Sequence, residues 1–113
     1  MRDKDKRIIQ RMLQRIDYAS EHKNSMDYAE FSENVTVSSA CAFEVLQIGE
    51  LATELNEEIL NQVSDIPWKK MRSMRNRLVH DYENVDLRIL WDTLNNDLPD
   101  LKRKLEVILE KSQ

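Results

Sequence analysis

The chain has 113 residues, 41% of them hydrophobic, which suits one domain spanning residues 1–113 and leaves too little for a second. One Gly and two Pro give scant material for tight turns, while Leu, Glu, Lys, Arg, Met and Ala fill the long segments, so the composition points to helices. A lone Cys41 cannot close an intrachain disulfide, and two histidines with one thiol cannot build a zinc cage from one chain, which indicates an intracellular chain with neither metal nor cofactor.

The formal charge of −4 argues against a generic nucleic-acid coat, but it is unevenly spread. Lys69, Lys70, Arg72, Arg75 and Arg77 lie in a run with no acidic residue, and residues 1–15 carry a net +4, so the remainder carries −13. The charged start, Met1 to Arg7, has no apolar core of a signal peptide behind it. No stretch approaches the roughly 20 apolar residues of a membrane span. A cytoplasmic chain without membrane contact is expected.

From Asp3 to about Glu21, apolar residues recur at three- and four-residue spacing (Ile8, Ile9, Met12, Leu13, Ile16, Ala19), the stripe of an amphipathic helix. His22 to Asn34 is polar, with Met26, Tyr28 and Phe31 inserted, and reads as a connection with room for a short helical turn. A second long helix, about Val35 to Asn56, carries Val37, Cys41, Val45, Ile48, Leu51, Ala52 and Leu55 and should form the centre of the core. Gly49 within it costs about 1 kcal/mol relative to Ala, which suggests either close approach of another helix or a plain surface position. Ser64-Asp65-Ile66-Pro67 breaks the chain, with Ser64 or Asp65 as cap and Pro67 at a first helical position. A third helix follows to about His80. Asp86 looks like the N-cap of a last helix bearing Leu87, Leu90, Trp91, Leu94 and Leu98, which Pro99 kinks or restarts before Leu101, Leu105, Ile108 and Leu109. The expectation is an all-α bundle of four to five helices.

Candidate chemistry lies at the end of the third helix. Asn76 and His80, four apart, share a face, so the amide can orient the imidazole. Arg75 precedes His80 by five positions, about 140° around an ideal helix. Either the helix is distorted there, or Arg75 and His80 from different copies complete one site. Tyr82, seven after Arg75, would share its face if the helix continued. The set suits phosphodiester cleavage without metal: histidine moves protons near neutrality and arginine pairs with phosphate. Lys69, Lys70, Arg72 and Arg77 would hold the phosphate backbone.

Arg75-Asn76, three residues, His80, then Asp81-Tyr82 resembles the R-x4-H-x-Y motif of HEPN domains. Ile48-Gly49-Glu50, Ile66-Pro67-Trp68, Val85-Asp86 leading to Leu90-Trp91, and Leu98-Pro99-Asp100-Leu101 are similar to words of the HepT-like toxin branch, over roughly Ala40 to Leu105. That resemblance implies a HEPN-type homodimer with the motif segments meeting in a cleft, and metal-independent endonuclease activity on RNA. It also implies a minimal nucleotidyltransferase (MNT-type) antitoxin that transfers AMP to the motif tyrosine. By position, Arg75 and His80 would be the catalytic pair, Asn76 their support and Tyr82 the AMPylation site. The alternatives are a non-catalytic helical module that binds nucleotide or RNA, or only docks the nucleotidyltransferase, and a purely structural dimer.

Other residues have plainer readings. Trp68 and Trp91 suit the core, Tyr18 and Tyr28 packing or the surface, Cys41 a small buried hydrophobe, and His22 a charge partner at a helix C-terminus. Glu50, beside Gly49, is either semi-buried and paired with a motif arginine or solvated.

Overall fold

Ile8, Ile9, Met12, Ile16 and Ala19 are all buried on one side of helix α1 (Asp3–Lys23), as their spacing requires. In this computed structural model the described residues are 1–80 and 82–112, with the side chain of Tyr82 outside the description. Asn24 ends α1 in the left-handed region (φ 50°), its N–H bonded to the Ser20 carbonyl, a helix stop that Asn tolerates. After it, a short helix α2 (Tyr28–Glu33) opens with a capping box in which the Asp27 carboxylate and the Glu30 side chain reciprocate. It lies in the stretch read as a connection, and its one fully buried side chain is Phe31.

Helix α3 (Val35–Ala52), capped by Asn34, is the central element. Its Cys41, Ala42, Val45, Ile48, Leu51 and Ala52 are buried, and it packs along α1. By length and composition this helix could cross a membrane, with mean hydropathy 1.2, but half of it is buried inside the bundle. It stops at Ala52, short of the expected Asn56. Asn56 instead caps a further helix, α4 (Glu57–Gln62), which the sequence reading missed. Helix α5 (Trp68–His80) follows; Met71 and Met74 bury its inner face. Asp86 caps α6 (Leu87–Asp92) by accepting from the N–H groups of Arg88 and Ile89, as its position suggested.

Pro99 lies in the first turn of a restarted helix, one of the two outcomes expected for it. A π turn, Thr93–Asp97, joins α6 to α7 (Leu98–Lys111), with the Leu98 N–H reaching back five residues to the Thr93 carbonyl. This wider turn comes directly before Pro99, whose ring would clash with the carbonyl four residues back in a regular helix. Leu90, Leu94, Leu98, Leu101 and Leu105 thereby stay on the core side. Trp91 is half-buried, 5.0 Å from the Phe31 ring and 5.9 Å from the Tyr28 ring, so α6 holds α2 in place.

Two acidic residues are buried because distant partners hold them. The Glu44 carboxylate of α3 meets Arg15 Nη1 at 3.0 Å and His22 Nε2 at 3.5 Å, both from α1, so His22 partners a carboxylate as well as ending its helix. The Asp5 carboxylate takes two hydrogen bonds from Arg2 (2.6 and 2.8 Å) and one from the Asn56 N–H at 3.1 Å, joining α1 to the start of α4. Those Arg2 bonds, aided by the Asn56 N–H and opposed by burial, lower its pKa from the ordinary 3.8 to about 2. A depressed carboxylate stabilises the fold fully above its unfolded value, and the contribution is lost as pH falls from 3.8 toward 2. Asp5→Asn should therefore cost about 1–2 kcal/mol at pH 7, with the gap between urea midpoints narrowing once the pH drops below about 4.

Candidate active site on helix α5

The segment that carries the motif begins where Pro67 ends the preceding turn. The Pro67 carbonyl accepts from the Met71 N–H (3.1 Å), which puts Pro67 just ahead of the first helical residue rather than within the helix. Asp65, a candidate cap, instead pairs with Lys104 of α7. Trp68 is half-buried and donates its indole N–H to the Val63 carbonyl at 3.0 Å, a packing role as expected.

From Trp68 to His80 the helix is regular, with no wide or tight turn. Arg75 and His80 therefore point about 140° apart and are offset by about 7.5 Å along the axis. With Met71 and Met74 fixing the inner side, the remaining residues fall into three strips. Arg75, Arg72 and Val79 border α3. Lys69, Asn76 and His80 face outward, all exposed. Ser73, Arg77 and Lys70 lie on the far side, toward α6. Among the described residues no hydrogen bond joins Asn76 to His80, although they share a strip.

The five cations of this segment are thus not one patch. Lys70 Nζ is 2.9 Å from Asp97, and Arg77 donates to the Asn84 carbonyl at 3.3 Å. Both line a cavity of about 340 Å³ with Met74, Val85, Asp86 and Ile89. Lys69 and Arg72 are exposed and make no ion pair among the described residues. Helical spacing alone separates Lys70 and Arg77 from Arg72 and Arg75, a signal that counting charges along the sequence hides. Asp81 and the Tyr82 side chain lie outside the described residues; the Tyr82 backbone opens a 3₁₀ turn (Tyr82–Asn84) immediately beyond α5.

Arg75 is built into the α3 surface. Its stem lies on Gly49, where an added Cβ would stand 3.7 Å from the Arg75 Cδ, and its guanidinium Nε pairs with the Glu50 carboxylate. Of the two readings left open for Glu50, pairing with a motif arginine is the one found, with its side chain still 48% exposed. Around this pair α3 and α5 expose apolar groups: Phe43 (50%) and half-buried Leu46 lie seven and four positions before Glu50, and Val79 (54%) four after Arg75. Phe43 and Val79 were not singled out in the sequence, because an apolar side chain at helical spacing reads as core until its face is known.

The fold is an all-α bundle whose basic helix α5 carries both Arg75 and His80. The family model "Ribonuclease HepT-like" matches residues 9–108, and the chain belongs to that family. A Caldanaerobacter subterraneus subsp. tengcongensis protein named "Putative RNase" is 28% identical over 105 residues, covering 93% of this chain and 94% of that one. A Methanocaldococcus jannaschii protein of the same name is 31% identical, covering 78% of this chain and 81% of its own. The "Probable ribonuclease HepT" of Thermococcus cleftensis is 41% identical over 59 residues, 52% of this chain and 54% of that one. No solved structure matches with significance.

The Gly49 geometry makes a direct prediction. At 3.7 Å an added methyl makes ordinary contact with Arg75, so Gly49→Ala should be tolerated and raise stability by about 0.5–1 kcal/mol through helix propensity. Gly49→Leu should displace Arg75; thermal melts of the two variants against the parent chain separate these outcomes.

Proposed function

We propose that this protein is the toxin of a HEPN/MNT toxin–antitoxin pair: a cytoplasmic, metal-independent endoribonuclease that works as a homodimer. The observation that carries this reading is the motif itself, Arg75 and His80 on a regular, exposed, basic helix in a chain of the HepT-like ribonuclease family. In the proposed reaction the ribose 2′-oxygen attacks phosphorus and the bond to the 5′-oxygen breaks, leaving a cyclic phosphate and a 5′-hydroxyl. His80 takes the 2′ proton and returns a proton to the departing 5′-oxygen, so the reaction is proton-neutral, and Arg75 neutralises charge developing on the phosphoryl oxygens. Asn76, on the His80 strip, supports the imidazole once substrate or partner orders both. Lys69 and Arg72 are the best placed to steer the RNA backbone; Lys70 and Arg77 would first have to leave their present partners.

The dimer is supported by geometry. Two residues pointing about 140° apart on one regular helix do not converge on one phosphate, whereas an isologous contact can bring Arg75 of one copy to His80 of the other. Exposed Phe43, Leu46 and Val79 around Arg75 give such a contact apolar area. The antitoxin of the reading is a minimal nucleotidyltransferase that attaches AMP to Tyr82, adding bulk and negative charge beside the cleft and so competing with RNA phosphate for Arg75.

Single-stranded RNA cleavage in EDTA should fall at least about 10²-fold in either Arg75→Ala or His80→Ala. Mixing and re-equilibrating the two variants should then restore about a quarter of parent activity, since half the dimers are mixed and each mixed dimer holds one intact site of two. No restoration means the site lies within one chain. Unchanged RNA decay in His80→Ala would leave a non-catalytic binding or docking module. After co-expression with the antitoxin, intact mass should show AMP additions on the parent chain and none on Tyr82→Phe; additions that persist would assign the modification elsewhere.

A further inference from the structure

Arg75 has an unusual setting for a surface arginine. Its Nε is buried against the Glu50 carboxylate as an ion pair without a formed hydrogen bond, while the side chain as a whole remains 30% exposed. Two separate contacts produce this. The aliphatic stem rests on Gly49, the one position in α3 with no side chain to lift it, and Glu50 takes Nε. Covalent geometry fixes the rest: in a planar guanidinium, one N–H on each Nη points away from Nε, the end-on fork that accepts a phosphate through two parallel bonds.

Stability does not account for the pair. Glu50 is 48% exposed, and ion pairs at that exposure contribute between nothing and about 1 kcal/mol. Glu44, on the same helix, is the contrast: its side chain is 3% exposed and it ties α3 to α1. A carboxylate beside an arginine that must bind phosphate is also unfavourable for binding, because it repels the incoming anion. An interaction that adds little to folding and weakens substrate attraction has to act through orientation.

We propose that Glu50 is a positioning residue for the reaction: it holds Nε of Arg75 so that the Nη fork is already aimed at the scissile phosphate. This rests on the ribonuclease reading above. The carboxylate itself does not touch RNA. It trades ground-state attraction for a fixed guanidinium, so its effect falls on kcat rather than on KM.

Three forms of the full-length chain test this. Glu50→Gln keeps a side chain of the same shape against Nε and removes the charge; Glu50→Ala removes both. Glu50→Ala should lower kcat on single-stranded RNA by about tenfold or more, with KM unchanged or lower. Glu50→Gln should hold kcat within about threefold of the parent and lower KM, with melting temperatures of all three close together. The Arg75 Nε–H resonance, assigned by its loss in Arg75→Lys, should be protected from solvent exchange in the parent and Glu50→Gln and lost in Glu50→Ala. Parent-like kcat in Glu50→Ala, a change confined to KM, or an unprotected Arg75 Nε–H in the parent would each overturn the proposal. If the parent protects Arg75 Nε–H yet cuts no RNA, the ribonuclease reading falls, and the role in catalysis with it.

Discussion

Five residues on an unbroken α-helix turn through about 500°, so Arg75 and His80 leave the helix about 140° apart. The rest of the site is arranged around that constraint. Arg75 is turned toward α3 and takes its seat on Gly49 and Glu50, whereas His80 is turned outward at the last position of α5. A distorted helix would have relieved the mismatch within one chain, but α5 keeps regular turns to its end. The proposed convergence across a second surface would find apolar area there, since Phe43 and Val79 are half exposed. A spacing of five on a regular helix supports the proposed dimer only where Arg75 and His80 act at one site.

Much of this was readable from residue spacing. The stripes of α1, α3 and the last helix correspond to buried residues because each stripe is long enough to establish a helical period. Helix α4 was missed because six residues establish no period; its signal is the cap, Asn56 followed by Glu57 and Glu58, which is easily absorbed into the end of α3. The restart at Pro99 was readable, but the π turn before it was not. A proline predicts trouble for a regular helix, but whether the chain kinks or widens depends on keeping Leu94 and Leu98 in the core. Burial of Glu44 had no local signal, since its Arg15 partner lies 29 residues away, and of the partners of Asp5 only Arg2 is local while the Asn56 N–H lies 51 residues on. The candidate site divides the same way: the strips of α5 follow from 100° per residue, while Lys70 is taken up by Asp97, a residue 27 positions on.

Helix α3 carries two glutamates six positions apart, about 120° around its axis, and their different fates explain how the site is held. Glu44 points to α1 and is buried between Arg15 and His22, a pairing whose loss would leave a charge without water. Glu50 points to α5 and stays half open. The first fixes α3 in the bundle, and the second uses that fixed helix as a platform for Arg75. The platform under Arg75 thus inherits its rigidity from the packing of α1 against α3. His80 has no such platform. It ends α5, its neighbours on the helix surface are solvated, and among the described residues nothing from another element holds it. Of the two groups the proposed chemistry needs, Arg75 is seated by its own chain and His80 is not. In the proposed dimer each copy would complete the half that the other lacks, so assembly and preorganisation of the site would be the same event.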